Sequence, residues 1–194
     1  LFRSQERAKS ALLVAAKTEL ARRRVVNAAQ RKIDSYYPDE GPLRRELYPK
    51  HLAFFAAGQE HRERGAVAAN RVGKTEGIGG YEVALHLTGE YPDWWPGRRW
   101  DRPVNVLCGG DTATTTRDIL VAKLLGPPAE RGTGLIPGKK LIRIAPAMGI
   151  PNHVDFCRVR HVSGGLSTLQ FRSYDQKRKA WQGTERDVVW FDEE

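Results

Sequence analysis

Apolar and polar positions alternate along the chain in a way that separates a helical arm from a mixed helix-and-strand core. Residues 4–33 contain no Gly or Pro and are rich in Ala, Leu, Arg and Lys, all good helix formers; Leu12, Ala16, Leu20 and Val26 give an uneven apolar stripe. Pro38, Gly41 and Pro42 then break the pattern and mark a linker. Pro49 opens a helix carrying Leu52, Phe54 and Phe55. Ala66, Val67, Ala68 and Ala69 read as a short buried strand, followed by a helix over residues 73–87. Further on, a strand is expected over 104–108 and a helix over 112–125, capped by Asp111 or Thr112. Strands follow at 141–144, 156–162 and 166–172, the last two joined by a hairpin turn at Ser163-Gly164-Gly165. Their alternation gives one solvated face, which places this hairpin at the edge of the sheet or flanking it. A short helix over 173–183 precedes a last hydrophobic strand, Val188–Phe191.

Helices interleaved with apolar strands predict an α/β fold with a mainly parallel central sheet flanked by helices. The organisation is an N-terminal helical arm and linker over 1–46 and a core over 47–194. The 194 residues suit one sizeable core with a helical appendage. No apolar run reaches the length of a membrane span, and no signal peptide is visible. Cys108 and Cys157 lie in apolar stretches without metal-ligand spacing, as reduced core residues of a cytosolic protein do. The formal charge of +9, from 32 basic and 23 acidic residues, suits a polyanionic partner without naming it.

The chemistry concentrates in two stretches. Ala68-Ala69-Asn70-Arg71-Val72-Gly73-Lys74-Thr75 follows the phosphate-loop pattern (Gly/Ala)-x-x-x-x-Gly-Lys-Thr, with Ala68 where Gly is usual. The backbone N–H groups of Ala68, Asn70, Arg71 and Val72 would form a nest for phosphate oxygens. Gly73 allows close backbone approach, Lys74 supplies a point charge, and the Thr75 hydroxyl is a Mg²⁺ ligand. The second stretch is Val188–Phe191 with the carboxylates that follow it, Asp192, Glu193 and Glu194. A buried strand ending in Asp192 sets that carboxylate beside the metal on Thr75, and Glu193 is placed to activate a water against the γ-phosphate. Together the two halves predict a Mg²⁺-dependent ATP hydrolase. His51 and Gln59, a short way upstream, are candidates for the adenine edge. Trp94, Trp95 and Trp100 are expected to pack a connection onto the core, with a partner surface or a base-stacking platform as the alternative. The clusters Arg22-Arg23-Arg24 and Lys177-Arg178-Lys179 are read as solvated helix faces; the alternatives are a phosphate-contacting arm for the first and contact with DNA or a neighbouring subunit's nucleotide for the second.

Several stretches resemble the ATPase domain of tailed-bacteriophage terminase large subunits. They are Arg62-Glu63-Arg64, Ala69 through Glu76, Tyr81-Glu82-Val83-Ala84, and Tyr91-Pro92-Asp93-Trp94-Trp95. Ser173-Tyr174-Asp175-Gln176 and Trp181-Gln182-Gly183-Thr184, leading to Val189 through Glu194, complete the match. The similarity covers about residues 47–194, and an Arg inside the phosphate loop is a habit of that family. It implies a P-loop NTPase fold, here truncated after the Walker B strand. The implied activity is an ATP-driven motor that packages double-stranded DNA into a procapsid. The partners it implies are the portal protein and a small terminase subunit, with the motor as a homo-oligomeric ring at the portal in the host cytoplasm. Carried over by position, Gly73, Lys74 and Thr75 hold phosphate and metal and Asp192 holds Mg²⁺. Glu193 is the catalytic carboxylate, and Arg71 reaches the γ-phosphate. His51 stands where the family often has a Gln for adenine. Nuclease activity is expected only from a domain beyond Glu194. A helicase or other nucleic-acid-remodelling ATPase, and a nucleotide-gated assembly module, are the alternative readings.

Overall fold

A computed structural model describes residues 31–176, 181 and 185–192, together with Thr18. The expected arm helix, the 177–179 basic cluster, and Glu193 and Glu194 lie outside the described residues. The chain divides into two compact units, Leu1–Arg31 and Lys32–Glu194. All that follows concerns the second.

Helix α1 is Pro49–Glu60, with proline in its first turn where no N–H is needed. A π-helical turn, Lys74–Gly80, runs directly into helix α2, Tyr81–Thr88. All eight residues of α2 are buried, and Gly89 ends it in the left-handed conformation that glycine adopts freely. Strand β1 is Asn105–Gly110. Thr112 then caps a helix through a reciprocal pair of bonds with Thr115. That helix, α3, runs through Ala113–Thr115, Thr116–Val121 and Ala122–Leu125. Strands β2 (Leu141–Pro146), β3 (Val154–Arg160), β4 (Leu166–Ser173) and β5 (Val188–Phe191) complete the sheet.

The sheet has the order β2-β3-β4-β1-β5. Strand β1 pairs parallel with both β4 and β5, whereas β2–β3 and β3–β4 are antiparallel. The architecture is therefore α/β with a mixed sheet, not a mainly parallel one: the 163–165 hairpin folds β3 back on β4, and β2 adds a second antiparallel edge. Val106 and Cys108 of β1, Cys157 and Val159 of β3, and Leu169 and Phe171 of β4 are buried with Val83, Leu85 and Leu87 of α2 in one core. Both cysteines are free and buried, and burial pushes the Cys157 thiol up to about 12. Trp95 belongs to this core, its ring 4.5 Å from that of Phe55, so part of the tryptophan segment packs inward as expected. Trp100 lies between the guanidinium groups of Arg98 and Arg102, at 4.4 and 5.0 Å. Among the described residues no helix is long and apolar enough to cross a membrane.

One expected element is missing. Residues 63–69 form no strand, and Val67 is fully exposed at 103%. Among the described residues nothing pairs with 66–69, and β5 stays the edge of the sheet. Three of those four side chains are alanines, which carry little strand preference or apolar area. The segment is held at its start instead. Arg64 donates to the Phe54 carbonyl at 2.7 Å and to Glu82 at 3.0 Å, and His86 lies 3.4 Å from the same carboxylate. Gly58 makes room for that guanidinium, since a Cβ there would come within 2.7 Å of it.

Two contacts fix the π-helical turn against the sheet. Glu76 pairs with both Lys32 and Lys123. Gly79 lies flat on the Trp190 indole of β5, where an added Cβ would come within 2.2 Å of the ring. Gly79→Ala therefore sets two effects against each other. Alanine gains roughly 1 kcal/mol of helix preference, while overpacking against a rigid indole costs about 1–3 kcal/mol. The collision wins, and thermal denaturation of the variant should show a lowered Tm; a raised Tm would mean that the turn and β5 are not in contact.

Acid should also weaken the fold. Burial holds His51, His153 and His161 below the ordinary histidine value, aided by Arg117 near His153 and Lys140 near His161. The unfolded chain takes up these protons at a higher pH than the folded one. Their contribution is thus fully present above about pH 6.5 and is lost as pH falls through the lowered folded values. Melting at pH 5.5 should occur below melting at pH 7.5.

Candidate functional site

The turn carrying Gly73, Lys74 and Thr75 and the end of β5 meet. β5 is drawn alongside β1 by parallel pairing, with Phe191 opposite Gly109. The next amide, Asp192 N–H, donates to the Gly109 carbonyl at 2.9 Å, which fixes Asp192 just beyond the carboxyl end of both strands. The Thr75 hydroxyl donates to the Asp192 carboxylate at 3.1 Å across 117 residues of sequence. The Tyr174 hydroxyl lies 3.3 Å from the carbonyls of Gly109 and Asp192 and packs its ring against Trp181 and Phe191, bracing this strand end.

In the 68–75 loop Arg71 has φ +64° and Gly73 φ +88°, left-handed backbone two residues apart of the kind that anion nests use. Gly73 adopts this conformation freely, whereas at Arg71 it is strained. Lys74 Nζ crosses the loop to the Ala68 carbonyl at 2.7 Å. The amides of Gly77 and Ile78 both donate to the Gly73 carbonyl, at 2.8 and 3.0 Å, starting the π-helical turn directly behind the loop. Asn70, Arg71, Val72 and Gly73 are exposed, while Lys74 and Thr75 are half-buried.

Beside the loop opens a cavity of about 650 Å³, lined by Tyr36, Tyr48, Leu47, Pro49, Arg71 and Glu76 among others. Burial works to raise the Glu76 carboxyl, but Lys123, Lys32 and a hydrogen bond from Tyr36 outweigh it and hold it below its ordinary value. Glu76 thus stays charged, and its ion pairs are structural. His51 also lines this cavity, yet both of its ring nitrogens are engaged within the protein. Nδ1 lies 2.8 Å from the Tyr37 hydroxyl and Nε2 3.1 Å from the Val72 carbonyl. Gln59 is remote from the cavity and donates to the Pro96 carbonyl at 2.8 Å.

The structure therefore gathers Ala68, Asn70, Arg71, Val72, Gly73, Lys74, Thr75, His51 and Asp192 around one loop. Glu193 lies outside the described residues. Sequence reasoning missed Tyr36 and Tyr37, and it named Arg64 and Glu82 within matching stretches without giving either a role. The available signals were a tyrosine pair just ahead of Pro38 in a stretch otherwise read as linker, and a carboxylate inside an apolar helix, which needs a buried partner. Among the described residues no group of three or more His, Cys, Asp or Glu side chains could hold a metal. At the loop itself the hard-oxygen groups of Thr75 and Asp192 meet.

Residues 66–194, which include the loop and β5, match the family described as terminase large subunit, T4likevirus-type, N-terminal. The large terminase subunit of Salmonella phage P22 is 36% identical over 168 residues, covering 76% of this chain and 33% of the phage protein. The chain thus spans about a third of the length of that relative. No solved structure matches it. On the strength of a match that takes in both halves of the site, this chain belongs to the terminase large subunit family.

Proposed function

We propose that this region binds Mg²⁺-ATP and hydrolyses it as the motor domain that drives double-stranded DNA into a procapsid. The observation that carries the reading is the 3.1 Å contact between Thr75 and Asp192 at the mouth of a nest-shaped loop. A hydroxyl and a carboxylate side by side are a hard-oxygen pair. A site with so few protein ligands suits Mg²⁺, which keeps waters and takes its remaining oxygens from substrate phosphates. When bound, the ion neutralises charge that develops on the β- and γ-phosphate oxygens.

The chain's own groups do the rest. The loop amides and the turn behind them present partial positive charge to the phosphates, and Lys74 exchanges the Ala68 carbonyl for a phosphate oxygen. Arg71, exposed on the loop, adds a second cation for the γ-phosphate. Glu193 directly follows Asp192 and serves as the carboxylate that orients and deprotonates the attacking water. The base occupies the 650 Å³ cavity, where the Tyr36 and Tyr48 rings offer flat apolar surface. This placement moves base recognition from the His51 ring to the tyrosine walls. Family membership supports the wider setting of a portal-bound ring working with a small terminase subunit on DNA.

The test uses the full-length protein. Lys74→Ala should abolish MgATP binding measured by calorimetry. Glu193→Gln should bind MgATP as the wild type does, while kcat falls by at least about 10²-fold, the scale of a lost general base. Linear double-stranded DNA should stimulate phosphate release by the wild type. Wild-type turnover in Glu193→Gln rejects the catalytic assignment, and undiminished binding in Lys74→Ala rejects the site.

A further inference from the structure

The outer side of the 68–75 loop poses a bonding question that the phosphate reading leaves open. A nest turns its N–H groups inward, so its carbonyls point away from the anion and need partners of their own. One of them, that of Val72, is joined to the Gly77 carbonyl of the π-helical turn behind the loop by one short chain of side chains. The Val72 carbonyl is 3.1 Å from His51 Nε2, His51 Nδ1 is 2.8 Å from the Tyr37 hydroxyl, and that hydroxyl donates to the Gly77 carbonyl at 2.7 Å. A carbonyl can only accept, so Nε2 carries a proton. Burial holds the His51 ring below the ordinary histidine range, so at neutral pH Nδ1 is an acceptor. The single Tyr37 proton is then shared between two acceptors, His51 Nδ1 and the Gly77 carbonyl, and it links Val72 within the loop to Gly77 in the π-helical turn behind it.

Three further observations point the same way. Glycines stand where the chain of groups meets the backbone: a Cβ at Gly77 would come within 3.0 Å of the Tyr37 hydroxyl, and one at Gly73 within 3.4 Å of the His51 ring. Tyr37 within the chain is itself at φ +55°, and Arg71 beside Val72 is at +64°, so backbone that bulky residues avoid occurs at both places. Such strain persists only where the surroundings over-determine it. At Tyr37 they do: the rings of Tyr48, Phe55, Tyr81 and Trp94 surround its own, with centroids 5.0–5.9 Å away. Tyr37 is 3% exposed.

We propose that Tyr37 and His51 are positioning residues that hold the 68–75 loop in its anion-binding shape through the Val72 and Gly77 carbonyls. They touch no phosphate; they act through the backbone. The inference rests on the phosphate reading of this loop for its consequence, but not for its structural content. Without the chain of bonds the loop samples other conformations. Apparent affinity then falls in proportion to the competent fraction.

Three variants of the full-length protein test it. Tyr37→Phe deletes one hydroxyl and keeps the ring packing. His51→Ala removes both links. His51→Gln restores a donor for Val72 and an acceptor for Tyr37. Hydrogen–deuterium exchange on nucleotide-free protein should show peptides spanning 69–79 exchanging roughly fivefold faster or more in Tyr37→Phe and His51→Ala, as a fivefold or larger rise in the open population gives. Peptides from β3 and β4 should stay unchanged, and His51→Gln should return toward the wild-type rate. Affinity for MgATP should weaken about tenfold in the first two variants, as a competent fraction near one-tenth would give. A purely structural role would instead raise exchange across α1 and the aromatic core. Wild-type exchange over 69–79 in both Tyr37→Phe and His51→Ala overturns the proposal. If the wild type binds no MgATP, the phosphate reading fails while the exchange data still decide the brace.

Discussion

Everything at this site depends on two segments, 117 residues apart, being held within one hydrogen bond of each other. Neither segment could achieve this alone. The strand end is placed by main-chain pairing: β5 takes its register from β1, and the Asp192 amide extends that ladder by one bond to Gly109. The turn is placed by side chains: Gly79 lets it lie on Trp190, and Glu76 ties it to Lys32 and Lys123. A backbone ladder tolerates little sliding, because a slip of one residue sends every side chain to the other face. The Thr75–Asp192 contact thus inherits its precision from β1, and β1 sits between two parallel partners in the sheet.

Buried charge provides the second layer. Glu82 sits in a helix whose every residue is buried, and it is matched by Arg64 and approached by His86. Breaking such a pair by removing one partner typically costs about 3–5 kcal/mol, because a charge is left in a low-dielectric interior. The arginine that satisfies it lies four residues before the loop begins. The same interaction that keeps α2 from carrying an unpaired carboxylate therefore fixes where the chain enters the loop. This anchoring compensates for the absence of strand pairing over 63–69, where only the exit side of the loop is regular structure.

Much of this was legible from the residues in order. The Gly-Lys-Thr turn, the closing strand, the Thr112-capped helix and the 163–165 hairpin each carry a local signature, and local signatures survive folding because the forces behind them act over a few residues. Two things were not legible. Val67 sits in an apolar tetrapeptide, but whether that tetrapeptide pairs depends on an available sheet edge, which is a property of the whole topology. The antiparallel β2–β3–β4 half was hidden for the same reason: the hairpin turn was visible, but not that a third strand would extend it and leave the sheet mixed. Tyr36 and Tyr37 were overlooked because the prolines after them mark a linker, and composition cannot show that a linker's aromatic rings are buried.

His51 illustrates how geometry can change a role without changing a residue. In sequence it is a polar side chain near a phosphate loop, and an imidazole can read a purine edge. In the fold each ring nitrogen already has a partner, so contacting a base would mean giving up a bond to Val72 or to Tyr37. A buried donor or acceptor left unpaired costs about 1–3 kcal/mol, comparable to what one hydrogen bond to a base would return. The exchange gains nothing, whereas the tyrosine-lined cavity offers apolar contact that costs no existing bond. The balance favours a histidine facing the protein, and in the proposed nucleotide reading it leaves the base to the Tyr36 and Tyr48 rings. The loop and the cavity share one wall in Arg71, Val72 and Gly73, so ordering the loop and shaping the cavity are a single act of folding.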